Sequence, residues 1–182
     1  MPHFIAFLRG INLGRRRVKM DELRVHFEAL KFTRVATFIA SGNVIFEGKT
    51  ADARTLEKLI EDQLEKKLGY PVDTFVRTTE EVAQMVAYRP FSAEDADNPA
   101  HTIHVGMFKT APAADHARRF AACRTEVDEI RVSGREYYWL CRIRSSDSKI
   151  WALPETRSLK LPTSTVRNLK TVQKLAALYS PA

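Results

Sequence analysis

The alternation of short strand-like runs with helical periodicities through the first half of this chain limits its fold more than any other feature. His3 to Arg9 is an apolar run of strand length. A loop, Gly10 to Lys19, separates it from Met20, Leu23, Phe27 and Leu30, which recur at helical spacing behind Asp21 and Glu22. Arg34–Ala40 and Val44–Glu47 are β-rich and joined by Ser41-Gly42-Asn43, the chemistry of a hairpin turn. Over residues 51–68, Ala53, Leu56, Leu59, Ile60, Leu64 and Leu68 mark one face of a long helix, and Gly69 supplies its stop. Val72–Arg77 returns as a strand and Glu80–Tyr88 as a short helix. The order β-α-β-β-α-β predicts an α+β unit of the ferredoxin-like, split βαβ kind over residues 1–89.

Residues 90–100 run from Pro90 through an acidic stretch to Pro99, and read as a linker or long loop. A second, abbreviated copy of the pattern follows over 101–182. It comprises a strand at Thr102–Phe108, a helix at Ala113–Cys123, and a hairpin of Glu126–Val132 and Glu136–Cys141 through Ser133-Gly134-Arg135. Ser148–Arg157 reads as a helical piece interrupted at Pro154. The possible N-caps of Pro162-Thr163-Ser164-Thr165 lead into a C-terminal helix from Val166 to Tyr179. At 182 residues the chain is long enough for two such tandem units, the second shortened.

Composition narrows the class. With 45% hydrophobic and 28% charged residues the chain is neither disordered nor fibrous, and two Cys cannot staple a disulfide mini-protein. Cys123 and Cys141 have no redox or zinc spacing and suit a reducing cytoplasm, where they read as small buried hydrophobes. No run is long enough to span a membrane, and the first apolar run is too short for a signal peptide. A cytoplasmic protein with no membrane partner is therefore expected. The net charge of +7 is uneven: residues 1–50 carry +5, 51–100 carry −5, 101–150 carry +3 and 151–182 carry +4. If the two ends meet, they form one surface that attracts anions; scattered solubility charge is the plainer reading.

The loop after the first strand carries Arg9, Asn12, Arg15, Arg16, Arg17 and Lys19. A Gly-containing turn before a helix can aim N–H groups at an anion, and these side chains bond phosphate or carboxylate oxygens. It lacks the Gly-Lys-Ser/Thr of a Walker loop and the spacing of a dinucleotide fingerprint. A mobile, solvated loop explains the same residues. Ser41 and Asn43 offer a hydroxyl and a carboxamide, or serve only the turn. Arg167, Lys170 and Lys174 make a basic stripe on the terminal helix, which is equally a solvated face. His101 and His104 fall on opposite sides of a strand and read as no metal pair. Tyr137, Tyr138 and Trp139 are either a base-stacking platform or core. No Ser-His-Asp or Cys-His set can be assembled from spacing, and no cofactor motif is present.

Leu8-Arg9-Gly10-Ile11-Asn12-x-Gly14, Lys19-Met20-x-x-Leu23 and Ser41-Gly42-Asn43-Val44-x-Phe46 resemble the opening of the bacterial domain-of-unknown-function family 1697. Ser148-Lys149 and Arg167-Asn168-x-x-Thr171-Val172-x-Lys174-Leu175 are similar to that family's closing motifs. The resemblance implies a ferredoxin-like α+β fold, a cytoplasmic setting and no agreed activity. It singles out Arg9, Asn12, Lys19, Ser41, Asn43, Ser148, Lys149, Arg167 and Asn168. This chain departs from it at Arg15-Arg16-Arg17, where members often have Gly, Lys or Asn. It departs again at Leu169, where members often place Trp. Core packing has little use for a repeated set of Arg, Asn and Lys, so the resemblance favours a polar site.

Three functions are expected to compete. In the first, Arg9, Asn12, Lys19, Ser41, Asn43, Arg167 and Asn168 hold an anionic, phosphate-bearing ligand: RNA, single-stranded DNA or a nucleotide. Arg15, Arg16 and Arg17 would add sequence-independent phosphate contacts. The second is a small enzyme on a phosphorylated or carboxylated metabolite, for which the motifs show no acid/base pair. The third is a protein-interaction scaffold.

Overall fold

In the computed structural model, residues 2–49 and 52–179 are described. The chain divides into two compact units, one of residues 1–83 with 175–182 and one of 84–174. The fold is mixed α+β, with two four-stranded antiparallel sheets and several helices.

The first unit runs β1 (His3–Leu8), α1 (Met20–Glu28), β2 (Thr33–Phe38), β3 (Asn43–Glu47), α2 (Ala53–Leu68) and β4 (Thr74–Thr78). The strands lie in the order β2-β3-β1-β4. Phe4 pairs with Phe46 and Ile5 with Ile45 on one side of β1, and Ile5 with Arg77 on the other. Phe4, Ala6, Leu8, Phe46 and Val76 form a core with Leu23 and Phe27 of α1 and Leu56, Ile60 and Leu64 of α2. The alternate positions Ile5, Phe7, Ile45 and Phe75 are buried too, so this antiparallel sheet reads as near-continuous apolar runs rather than alternation. Asp52 caps α2 by accepting from Thr55 N, and Gly69 ends it in the left-handed region at φ 78°. Glu57 and Glu61 of α2 accept from Val76 N and Thr74 N at 2.9 and 2.8 Å. A helical i, i+4 pair thereby matches alternate amides of the edge strand β4 and closes that edge to further pairing.

A short helix, α3 (Thr79–Ala87), starts directly at the end of β4. Thr78 and Glu81 exchange bonds with each other's backbone N–H, the reciprocal capping box that lets a helix begin without a loop.

The segment read as a linker contains α4 (Ala93–Asp97), capped by Ser92. Arg142 grips Asp95 with two bonds of 2.9 and 2.7 Å, which holds the carboxyl of Asp95 below the usual carboxylate range. The remaining elements are β5 (Thr102–Phe108), α5 (Ala114–Ala122), β6 (Asp128–Ser133), β7 (Glu136–Cys141), α6 (Pro154–Ser158), β8 (Ser164–Asn168) and α7 (Leu169–Leu178). Their sheet order is β6-β7-β5-β8.

The expectation of an abbreviated second sheet is corrected by β8. Ser164-Thr165-Val166-Arg167-Asn168 was expected to cap and open the terminal helix, because Ser and Thr favour N-caps. Thr165 and Val166 are β-branched and suit a pleated surface, and the five residues pair with β5 from His104↔Asn168 to Phe108↔Ser164. Only the crossover is shortened. Where the first unit has the 16-residue α2, the second has 3-10 turns at 145–147 and 150–152 followed by α6.

The core of the second unit joins Phe108, Phe120, Ile130, Tyr137, Trp139 and Ile150. A Cβ on Gly106 would sit 1.9 Å from the Tyr137 ring, so this strand position accepts only glycine while the ring lies across it.

Candidate functional site

The loop between β1 and α1 and the turn between β2 and β3 interlock. Leu8 N donates to Gly42 O at 2.8 Å, and Asn12 Nδ2 donates to Ala40 O at 3.0 Å. Asn12 Oδ1 accepts from Val18 N at 2.8 Å, so one carboxamide ties both ends of its own loop to the neighbouring turn. Buried Asn43 donates to Phe38 O and Ser41 Oγ at 3.0 and 2.9 Å. Gly42 has φ 79°, and a Cβ there would lie 2.7 Å from Ile11 Cγ2. Arg17 Nη1 donates to the carbonyls of Gly14 at 2.9 Å, Asn12 at 3.3 Å and Arg16 at 2.7 Å. Asn12 and Arg17 therefore shape the loop, Asn43 and Ser41 shape the turn, and the bonds from Asn12 and Leu8 tie the two.

The other cations face outward. Arg9 meets Asp73 at 3.4 Å while half exposed. Arg16 lies over the Tyr70 ring, 4.3 Å from its centroid. The Arg15 and Lys19 side chains are exposed and have no ion pair or hydrogen bond among the described residues. Leu13 of the loop and Ile39 of the β2–β3 turn are large apolar residues in water, 70% and 52% exposed. Ile39 has φ 52°, a strained conformation for a β-branched side chain.

Arg167 lies in β8, so the stripe expected with Lys170 and Lys174 does not run along one helix. It is 8% exposed, and Nη1 donates to Thr165 Oγ1 and Val166 O, both at 2.9 Å. Burial pushes its pKa down to about 10, which leaves it charged at neutral pH. Arg77 holds the matching place in β4: it pairs with Ile5 of β1 as Arg167 pairs with Val105 of β5. Each arginine donates to the carbonyl of the valine before it. The polar residue after each, Thr78 or Asn168, bonds the first turn of the next helix. Val76-Arg77 and Val166-Arg167 are thus equivalent positions of a repeated unit, a likeness too brief to register in the sequence.

Ser148 Oγ donates to buried Asp128 at 2.8 Å, and Asp128 also receives Trp139 Nε1 at 2.8 Å. This motif serine therefore anchors the crossover, while the Lys149 side chain is exposed and without a partner among the described residues. Tyr137, Tyr138 and Trp139 are buried. Cys123 and Cys141 are free and buried, and burial pushes the Cys141 thiol up.

A side-chain pair invisible in the sequence joins β5 to the crossover. His104 Nε2 lies 2.7 Å from Ser145 Oγ, across 41 positions of chain. The imidazole stacks on Trp139 at 4.6 Å, and burial lowers its pKa below 6.5. The shift favours the neutral imidazole at physiological pH, and the tautomer sets which of His104 Nε2 and Ser145 Oγ donates. His101, three residues earlier, faces Asp95 instead. Among the described residues no three His, Cys, Asp or Glu gather around a metal-sized space.

Two four-stranded antiparallel sheets in tandem, with a loop clasp in the first and a buried polar crossover in the second, define a two-unit α+β protein. The chain belongs to the family described as "Protein of unknown function (DUF1697)", whose model matches residues 1–138. The conserved bacterial protein SP0830 from Streptococcus pneumoniae has a similar structure: TM-score 0.75, 19% identity, 100% of this chain and 99% of that one covered. At that identity the likeness concerns the fold. No curated protein matches this chain. Among the described residues no helix is long and apolar enough to cross a membrane.

Proposed function

We infer that this is a cytoplasmic binding protein for a phosphate-bearing anion, such as RNA, single-stranded DNA or a nucleotide, engaged by the β1–α1 loop. The observation that carries this reading is a hydrogen-bonded loop whose outward cations are unpaired or only loosely paired. Asn12 and Arg17 fix its path, and Arg15 and Lys19 have no counter-charge among the described residues. Arg9 and Arg16 make only exposed contacts, which cost little to exchange for phosphate. Ser41 and Asn43 hold the β2–β3 turn to which the loop is tied, and Arg167 and Asn168 lie in β8 of the second unit. Both units are read as ferredoxin-like plaits, since the order β4-β1-β3-β2 recurs as β8-β5-β7-β6.

Fluorescence polarisation of labelled mixed-sequence 20-mer RNA and DNA across a salt series tests the reading. The comparison variant is Arg15→Ala/Arg16→Ala/Lys19→Ala, which leaves Arg17 in place to hold the loop. Single strands lose about 0.7 of log–log slope per phosphate contact, so the variant should lose roughly two units. Absent binding, or an unchanged slope, removes nucleic acid from the loop.

The enzyme reading gains one specific observation, the contact between Ser145 and neutral His104. The Arg144 and Lys149 side chains, in the same segment and unpartnered among the described residues, would hold a carboxylate or phosphate. Ser145 Oγ would add to an ester carbonyl carbon as its proton passes to His104 Nε2 and the carbonyl π pair moves to oxygen. Collapse would expel the alcohol, which takes that proton from His104, and leave an acyl-Ser145 for water to hydrolyse. A fluorophosphonate probe should then label Ser145 in the wild type and fail on His104→Gln. No adduct on the wild type ends this reading.

A further inference from the structure

Two adjoining cavities in the second unit, of about 270 and 100 Å³, share Ala96, Asp97, Ile103, Leu169 and Gln173 and so form one cleft. Its two ends differ in chemistry. The larger is completed by Asn98, His101, Asn168 and Lys170, the smaller by Tyr88, Arg89, Phe91 and Tyr138. We propose that this cleft binds a nucleoside monophosphate, with the phosphate at Lys170 and the base at Tyr88 and Phe91.

The donor end is open for an anion. The Lys170 ammonium and the Gln173 carboxamide have no partner among the described residues. Asn98 and Asn168 use their Oδ1 atoms as acceptors, for Ala100 N and Lys170 N, which leaves their amide N–H groups to donate. The aromatic end is a surface for a planar ring. Tyr88 is exposed and its ring lies 5.0 Å from that of Tyr138, itself held by a 3.1 Å bond to Met85 O. Bases of any identity stack on such rings. Asp97 lines the stretch common to both cavities, where a carboxylate accepts from ribose hydroxyls or an exocyclic amine. The sequence of donors, carboxylate and aromatic rings follows the phosphate, sugar and base of one nucleotide. Small-molecule sites start at about 300 Å³, and the two cavities together reach the size of one nucleotide. This site does not depend on the basic loop.

Isothermal titration of the full chain with AMP, adenosine and ribose 5-phosphate tests it. AMP should bind, with adenosine and ribose 5-phosphate each at least tenfold weaker. Lys170→Ala should weaken AMP at least tenfold and leave adenosine unchanged. Tyr88→Ala should weaken AMP and adenosine alike. Both side chains are exposed, and unchanged melting temperatures would confirm that the variants fold. The proposal is overturned if AMP, GMP, CMP and UMP all give no heat at millimolar concentration, or if Lys170→Ala binds AMP like the wild type. It is equally overturned if the Arg15/Arg16/Lys19 triple variant abolishes AMP binding, which would place the nucleotide on the loop. Binding of the 20-mer RNA without AMP would sink the cleft alone, and AMP without RNA would sink the loop alone.

Discussion

His104 and Gly106 sit two residues apart in β5, and each has its role set by an aromatic ring of the neighbouring strand β7. Trp139 stacks on His104 and Tyr137 crosses Gly106. Because burial lowers the His104 pKa, the unfolded chain binds its proton more readily than the folded one. That penalty is absent above about pH 6.5 and grows as the pH falls below it. His104→Gln should therefore lose less stability than the wild type between pH 7.5 and 5.5, read as the difference in urea midpoints. Gly106→Ala drives a methyl into the Tyr137 ring, and overpacking costs about 1–3 kcal/mol or more. Its thermal midpoint should drop by several degrees, and Tyr137→Ala in the same chain should recover part of the Gly106→Ala loss. Gly106 lies within a run that reads as an ordinary strand, and only the partner strand reveals why glycine is required there.

At the scale of elements, α2 and β4 show how one pairing both packs and insulates a sheet. The apolar face of α2 was legible from its periodicity, and Gly69 marked its end. The service of Glu57 and Glu61 was not, since charged residues on a helix read as a solvated face. Glu57→Ala leaves the buried Val76 N–H without that acceptor, which should cost about 1–3 kcal/mol. Chemical denaturation of Glu57→Ala beside the exposed Lys58→Ala would check this, with the second near neutral. The strand β8 and the helix α4 escaped the sequence for related reasons. Ser, Thr and acidic residues near prolines fit caps and loops as well as they fit regular structure. What decides is tertiary: β5 offers β8 a free edge, and Arg142 offers Asp95 a bidentate partner.

At the scale of the whole molecule, the net charge of +7 says less than where unpaired charge lies. Many cations are in ion pairs, among them Lys58 with Asp62, Arg118 with Asp115 and Arg131 with Glu129. Arg15, Arg16 and Lys19 lack an acidic partner among the described residues and share one loop. Elution from heparin should therefore move to lower salt for Arg15→Ala/Arg16→Ala/Lys19→Ala than for Lys58→Ala/Arg118→Ala/Arg131→Ala, although each removes the same formal charge. Equal shifts would mean that the loop is no special patch.

The α+β class, most element positions and the family were legible from the chain alone, because hydrophobic period, glycine conformation and short motifs are local properties. Tertiary structure alone decided which polar residues remain available. Asn12, Asn43, Ser148 and Arg167 look like ligand donors in a string of letters. In the fold they satisfy carbonyls, hydroxyls and a buried carboxylate, since backbone and side-chain polar groups taken from water must find partners. The same closure brought Ser145 to His104 and set Lys170 and Tyr88 along one cleft, juxtapositions that depend on contacts between residues far apart in the chain.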